Sequence, residues 1–223
     1  CDPTDDEPQR YVQFSEWQRE LLESDEEGNN YWRQLDYSSA GTLTLPLETP
    51  TPNLTTFAPA VFVAPLDREL TARIESLVTS CNSSLAVFLQ TCWQTLIGRL
   101  TKQPEVFINV LCDGRIYEEL EEAFGLYAKW LPVPARFAED LSFTELLQQV
   151  DESLASAREW QEYFSWDQLA SGDTPEILPI GFNYEEWPAG VDTGAKFSLL
   201  KLHNCIERFK LRLSCIRKSD SLV

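Results

Sequence analysis

The chain has 223 residues, of which 43% are hydrophobic and 24% charged, a balance typical of a globular protein rather than a disordered one. Its 36 acidic and 18 basic residues give a net charge of −18, so phosphate backbones and anionic lipid surfaces would repel it. We therefore expect neither nucleic acid nor membrane as a partner, and no apolar run approaches the roughly 18–20 residues that cross a bilayer.

The counts of cysteine, histidine and methionine bear on the cellular compartment, on metal binding and on whether the chain is part of a longer one. The six cysteines form no C-x-x-C pair and no regular framework, which predicts free thiols in a reducing cytoplasm. A single histidine, His203, cannot complete a compact four-ligand zinc set, so no metal site is predicted. No methionine occurs, even at position 1. This absence indicates an internal piece of a longer chain, unless selenomethionines have been omitted from the sequence.

The first part of the chain is predicted to be helical and then extended. Residues 1–10 are acidic and contain proline, as a solvated linker does. Apolar residues recur near helical spacing over residues 11–35, and Gly-Asn-Asn at 28–30 interrupts them, which predicts two helices joined by an acidic turn. Residues 37–58 hold three prolines and many threonines and predict an extended connection, and Val61 to Ala64 predicts a short strand.

The middle of the chain predicts two helices followed by a buried strand. Residues 67–80 place their large apolar side chains on one helical face. A second helix is expected to begin at Asn-Ser-Ser, residues 82–84, which are favourable N-cap residues, and to run to Arg99; it is apolar nearly all round, which predicts burial. The apolar run VFINVLC at 106–112 is typical of a central strand, and Asp-Gly-Arg at 113–115 predicts the loop that ends it.

The remaining elements alternate between helix and strand. An acidic helical patch at 118–123 precedes a strand candidate within FGLYAKWLPV that ends at Pro132. Ser142 should cap a long helix through about Trp160, and Ile177 to Tyr184 predicts a third strand. Alternating residues predict a C-terminal β-hairpin at 196–216 with basic residues on its outer face. The predicted fold class is therefore α/β, a mixed β-sheet packed with α-helices.

The sequence contains few residues in arrangements typical of catalytic sites. Cys112 ends a buried strand, where clefts commonly form, but no histidine or other base lies near it in sequence. A core thiol beside a loop held by Asp113 and Arg115 is therefore favoured over a nucleophile. Lys129 lies in a strand candidate between alanine and tryptophan, which makes it either a cleft residue or an edge charge. The four glutamates between 118 and 122 indicate a solvated face rather than an acid/base pair.

Four segments nevertheless follow a recognisable pattern. Residues 11–18, YVQFSEWQ, are similar to Tyr-x-Asp-Phe-x-x-Trp-Gln, and Cys-Asp-Gly-Arg at 112–115 matches an Ala-Gly-Arg loop at its glycine and arginine. The segment FGLYAKWLP at 124–132 is similar to Ile-Gly-x-Phe-x-Asn-Thr-Leu-Pro, and Trp-Gln-Glu-Tyr at 160–163 stands where His-Gln-Asp is usual. In this order, and over essentially the whole chain, the motifs resemble those of the condensation domains of nonribosomal peptide synthetases.

The resemblance implies a chloramphenicol-acetyltransferase-like fold of two lobes, of which residues 11–223 would form the C-terminal one. In that family the intact domain joins an acyl or peptidyl thioester to the amine of an aminoacyl thioester. Both substrates arrive on the 4'-phosphopantetheine arms of carrier domains and enter a tunnel between the lobes. The connection at 37–58 and the region 113–132 are candidates for crossing or flooring this cleft. The implied tunnel residues are Asp113, Gly114, Arg115, Gly125, Tyr127, Lys129, Gln161 and Asn183.

The sequence departs from the family pattern at residues that bear on activity. The family's catalytic sequence, His-His-x-x-x-Asp-Gly, lies in the first lobe and does not occur here. No catalytic residue is therefore expected in this chain, and the chain alone is predicted to be inactive. Lys129 replaces the usual asparagine and Trp160 replaces the usual histidine, which indicates a divergent subgroup.

Other functions stay open on the sequence alone. The chain could be a non-catalytic docking or scaffold module of an assembly line, or a relative of coenzyme-A-dependent or ester-forming acyltransferases. An epimerisation domain is disfavoured, because its Glu-Gly-His-Gly-Arg signature is replaced by Leu-Cys-Asp-Gly-Arg. The implied partners are the N-terminal lobe, acyl or peptidyl carrier domains and an adenylation domain. The basic C-terminal segment makes Lys201, Lys210 and Arg212 candidates for docking an acidic carrier domain.

Overall fold

The computed structural model describes residues 11–24, 27–38, 40, 43–49, 59–166, 178–187, 209–218 and 221–223. The α-helices in these ranges are α1 (Tyr11–Glu23), α2 (Glu27–Gln34), α3 (Arg68–Ser80), α4 (Leu85–Thr101) and α5 (Phe143–Glu159). The strands are β1 (Glu105–Cys112), β2 (Lys129–Arg136), β3 (Ile180–Trp187), β4 (Leu211–Lys218) and β5 (Ser221–Leu222). Short 3-10 helices lie at Glu118–Leu120 and Gln161–Tyr163.

The strands form a mixed sheet in the order β2-β1-β3-β4-β5. β1 and β2 run antiparallel in unbroken register, from Glu105 opposite Arg136 to Cys112 opposite Lys129. β1 pairs with β3 in parallel, β3 pairs with β4 in parallel, and β4 pairs with β5 antiparallel. Because parallel neighbours need a long crossover, α5 lies in the connection between β2 and β3. The predicted α/β class with a mixed sheet is confirmed.

Local sequence signals determine where the two long helices begin. The N–H of Val87 donates to Ser84 Oγ (3.2 Å) at the start of α4. At α5, the N–H of Ser142 donates to Glu145 Oε2 (2.8 Å), and the N–H of Glu145 donates to Ser142 Oγ (3.3 Å). Such caps satisfy backbone donors that the helix leaves free and contribute about 1 kcal/mol each. Both predicted helix starts are confirmed.

The main core lies between the sheet and the helices α4 and α5. Side chains of a strand alternate between the two faces of a sheet, so every second residue of β1 and β2 enters this core. Side-chain hydrogen bonds also tie α4 to the sheet: Trp93 Nε1 donates to the Gly181 oxygen (3.1 Å), and Gln94 Nε2 donates to the Val133 oxygen (3.0 Å). The buried apolar residues here include Ile97, Val106, Ile108, Val110, Leu131, Val133, Leu147, Val150 and Leu154.

Several predicted boundaries are wrong. The third strand, β3, was expected from Ile177 to Tyr184, but it begins at Ile180 and continues to Trp187 in pairing with β4. Residues 28–30 lie inside α2 instead of interrupting a helix, and Gly28 packs so closely on the Tyr163 ring that a Cβ would collide with it. Residues 61–64 form no strand, although Leu66 just beyond them donates its N–H to the Leu222 oxygen (2.8 Å). β2 begins only at Lys129 and continues past Pro132 to Arg136, because it pairs with the whole of β1.

Several predictions extend beyond the described residues. The linker at 1–10 lies outside them, as does 196–208, the first arm of the expected hairpin. Within 37–58, the described residues contain neither helix nor strand. Residues 211–216 of the second arm belong to β4, which pairs in parallel with β3 and through its end with β5. The hairpin therefore stays a prediction.

Candidate functional site

The loop after β1 is fastened to the segment that leads into β2. Arg115 Nη1 donates to Asp113 Oδ1 (2.8 Å), and Nη2 donates to the Gly125 oxygen (3.4 Å). The guanidinium carbon also lies 4.9 Å from the centroid of the Tyr127 ring. Gly114 has a φ of 78°, and a Cβ at this position would collide with the Tyr127 carbonyl. The structure thus brings five of the predicted tunnel residues together, with Asp113 paired to Arg115 as expected.

Aromatic rings pack α1 onto this loop. Tyr127 is fully buried, and the ring centroids of Phe14 and Tyr11 lie 4.9 Å and 5.4 Å from its own, both in edge arrangements. Gly125 lets the backbone approach the Tyr11 ring closely. The segments at 11–18 and 124–132, which both carry the family resemblance, are therefore in contact.

Lys129 joins a third such segment to these two. Its ammonium group forms an ion pair with Glu162 in the 3-10 helix after α5 and donates to the Gln161 oxygen (3.2 Å). Its Nζ lies 5.6 Å from the Phe14 ring centroid. Gln18 of α1 donates from Nε2 to the backbone oxygen (3.3 Å) and to Oε2 (3.4 Å) of Glu162. The Glu162 side chain is 2% exposed and that of Lys129 15%, so the ion pair is buried.

Burial moves the pKa values of this pair toward the neutral forms. Desolvation lowers the pKa of Lys129, and the attraction of Glu162 acts in the opposite direction. Desolvation raises the pKa of Glu162, and Lys129 acts against that shift. Each residue therefore depends on its partner to remain charged inside the protein.

The other two predicted tunnel residues occupy different settings. Gln161 is buried beside Glu162, and neither atom of its side-chain amide has a hydrogen-bond partner among the described residues. Asn183 on β3 donates to Glu185 Oε1 (3.1 Å) and accepts from Ser214 Oγ (2.5 Å). Gln161 is adjacent to the ion pair, because its backbone oxygen accepts from Lys129, whereas the Asn183 side chain joins β3 to β4. The role of all eight residues in a tunnel stays a prediction.

The cationic docking candidates are only partly described. Lys210 forms an ion pair with Glu48 (2.7 Å) and donates to the Leu43 oxygen (3.1 Å), so it is already engaged within the chain. Its hydrogen bond holds the pKa of Glu48 below the usual range. Arg212 is the second residue of β4, and Lys201 lies outside the described residues. Their docking role stays a prediction.

The conventional reactive groups contribute little to the site. Cys112 is buried at the end of β1, and desolvation raises the pKa of its thiol, which suits a core residue better than a nucleophile. No group of three or more metal-ligating side chains occurs in the described part of the chain. In that part, no helix is both long and apolar enough to cross a bilayer.

A cavity of about 380 Å³ opens beside Lys129 on the sheet. The sequence did not indicate it, because its lining comes from elements far apart along the chain. One signal was present: Asn109 interrupts the apolar run VFINVLC, and a polar residue inside a central strand needs a reason. The residues that line this cavity include Gln18, Asn109, Lys129, Trp130, Trp166 and Phe209.

Comparisons with known proteins identify the family. Residues 2–169 match the family model described as Condensation domain, so the chain belongs to the condensation-domain family. The converging segments at 11–18, 124–132 and 160–163 all lie within this match.

Relatives agree with that assignment, and solved structures share the fold. Bacitracin synthase 3 of Bacillus licheniformis is 25% identical over 228 residues, which cover 96% of this chain and 4% of the synthase. The X-domain from teicoplanin biosynthesis has a TM-score of 0.74 at 18% identity, covering 96% of this chain and 54% of that one. The first condensation domain of the calcium-dependent antibiotic synthetase, in complex with a substrate analogue, has a TM-score of 0.71 at 16% identity, covering 94% and 48%. The chain thus spans about half of these solved structures and a small part of the synthase.

Proposed function

We propose that this chain is the C-terminal lobe of a nonribosomal peptide synthetase condensation domain. In the intact domain, the amine of a carrier-bound aminoacyl group would attack the thioester carbonyl of a carrier-bound acyl or peptidyl group. A C–N bond forms, the C–S bond breaks, and the donor carrier's thiol leaves. The observation that carries the proposal is the meeting of Gln18, Lys129 and Glu162, from three family-like segments, in one buried group.

This lobe would orient the substrates rather than supply the acid/base residue. The family's histidine motif does not occur in the chain, and catalysis by positioning needs a rigid wall. The Lys129 ion pair supports that role, because it ties α1, β2 and the 3-10 helix at Gln161–Tyr163 together through buried polar contacts. The tunnel wall would then include the loop at 113–115 and the segment at 124–129.

The implied partners follow from the same proposal. They are the N-terminal lobe, carrier domains that present substrates on phosphopantetheine arms, and the adenylation domain that loads them. Carrier docking at the basic C-terminal segment would involve Lys201, Lys210 and Arg212, and Lys210 would have to exchange its ion pair with Glu48 for the carrier.

The test is amide formation from carrier-loaded donor and acceptor, measured by mass spectrometry of the released product. The chain alone should give no product, whereas the same chain combined with its N-terminal lobe should give the amide. A matched control combines the chain with a lobe whose His-His pair is replaced by alanine. Product from the chain alone, or none from the intact domain, would contradict the proposal.

A second candidate is a docking module without catalytic activity. It is favoured by one observation: the X-domain from teicoplanin biosynthesis, which resembles this chain in fold, has also been solved in a complex with OxyB. If the intact domain binds a partner enzyme but forms no amide with any loaded pair, this second function replaces the first.

A further inference from the structure

The cavity beside Lys129 lies on the face of the sheet opposite α4 and α5. Ile108 and Val110 of β1 enter the core with these helices, so Asn109 between them points to the other face. Its neighbours across the sheet are Pro132 on β2 and Gly181 on β3, and neither carries a polar side chain. The cavity volume of about 380 Å³ falls in the range of small-molecule pockets, about 300–1,000 Å³.

Asn109 is the polar group that the fold leaves unsatisfied in this cavity. Its side chain is 1% exposed, and neither its amide nitrogen nor its carbonyl oxygen has a hydrogen-bond partner within the described ranges. Buried amides are nearly always hydrogen-bonded, because losing water without a replacement destabilises the protein. An amide that lines a cavity and offers one free donor and one free acceptor is suited to a ligand that provides both counterparts.

Aromatic side chains form the cavity walls. Trp130 and Phe209 meet edge to face with ring centroids 4.7 Å apart, and Phe164 and Trp166 do the same at 5.1 Å. Phe209 can lie over the sheet because position 181 is glycine, where a Cβ would already approach its ring to 3.1 Å. Such walls favour a flat apolar group, since aromatic rings prefer edge and offset contacts with one another.

The charges near the cavity favour a neutral polar group on the ligand. Lys129 lines the cavity, but Glu162 neutralises its ammonium group. Gln18 is an uncharged amide that donates to Glu162, and Ser165 in the lining is also uncharged. A charged ligand would therefore have to compete with an existing ion pair, whereas an uncharged one would not.

We infer that this cavity binds an aminoacyl or peptidyl unit with an aromatic side chain. The N–H and C=O on either side of one Cα would pair with the carbonyl oxygen and amide nitrogen of Asn109, and the aromatic ring would lie among Trp130, Trp166 and Phe209. The inference rests on the proposed function, to which it adds the class of residue that the lobe recognises.

The test uses N-acetyl-L-phenylalanine N-methylamide, a neutral probe with one aromatic side chain and both backbone groups. Binding to the chain is followed by ligand-observed and protein-observed NMR. The wild type should bind the probe, and Asn109→Leu should weaken binding about tenfold, because two neutral hydrogen bonds are lost. The melting temperature of this variant should not fall. If it does fall, two other measurements decide: Asn109→Ser should also weaken binding, and the probe ring should contact Trp166 in the wild type.

Matched controls separate the cavity from general effects. N-acetyl-L-alanine N-methylamide should bind at least tenfold more weakly than the aromatic probe. Gln90→Leu changes another buried amide, on α4 at the opposite face, and should leave probe binding unchanged. No binding by the wild type, or equal binding by Asn109→Leu and wild type, overturns the inference. Because amide formation by the intact domain is measured separately, either proposal can fail while the other stands.

Discussion

The two faces of the sheet differ in what surrounds the buried side chains of β1. On the face toward α4 and α5, Ile108 and Leu131 are fully buried among apolar side chains. On the opposite face, Asn109 is nearly as buried, yet it borders a cavity and has no hydrogen-bond partner among the described residues. The apolar side chains of the first face need no further component, whereas the buried amide of Asn109 still lacks hydrogen-bond partners. The first face stabilises the fold, and the second has the features of a surface kept for a ligand.

Stability should depend most strongly on the helix-covered face. Leu131→Ala removes a fully buried side chain where β2 packs on α5 and should lower the free energy of unfolding by about 4 kcal/mol, because it loses apolar contact and leaves a cavity. The control Leu126→Ala changes a side chain that is 79% exposed beside the cavity, so its effect should stay below about 0.5 kcal/mol. Urea unfolding compares the two variants, and equal losses would remove the distinction between the faces.

The next largest effect is expected at the ion pair that borders the open face. Glu162→Gln leaves the Lys129 ammonium buried without its counter-charge and should lower the free energy of unfolding by about 3 kcal/mol at pH 7. Burial holds the pKa of Lys129 below its ordinary 10.5, so above neutral pH the unfolded chain binds more protons than the folded one. Stability of the variant should therefore rise with pH toward 10.5, and its deficit relative to wild type should shrink.

A double variant controls for the loss of packing. Lys129→Met combined with Glu162→Gln removes the unpaired charge, so it should recover most of the lost stability and show no such rise with pH. Urea unfolding between pH 7 and the ordinary pKa of lysine measures both effects. If the single variant keeps the same deficit at every pH, or if the double variant is as unstable as the single one, the buried ion pair does not have the role assigned to it.

The predictable parts of the fold are those encoded by neighbouring residues. The starts of α4, at residues 82–84, and of α5, at Ser142, could be predicted because a cap acts within one helical turn. Residues 28–30 misled the prediction, since Gly28 serves a close contact with Tyr163 that lies far away in sequence. The start of β2 could not be predicted from the sequence either, because it is determined by pairing with β1.

The candidate site divides in the same way. Lys129 could be singled out from the sequence as an unusual strand residue, but its partner Glu162 lies in another element and only the fold brings the two together. Asn109 could be recognised as a polar residue within an apolar strand. Its lack of hydrogen-bond partners, however, depends on its neighbours across the sheet, Pro132 and Gly181, which carry no polar side chain. The aromatic walls come from β2, the residues after α5 and the residue Phe209 before β4, so no local pattern could have predicted the cavity.

The most direct test of the difference between the faces is single-turnover amide formation by the intact domain carrying Asn109→Leu, with an aromatic aminoacyl acceptor on its carrier. Amide formation should slow about tenfold, with a melting temperature equal to or above that of the wild type, because the variant removes a binding amide and two unsatisfied polar atoms at once. An unchanged rate would contradict a binding role for Asn109, as would a slowed rate that only accompanies a loss of stability.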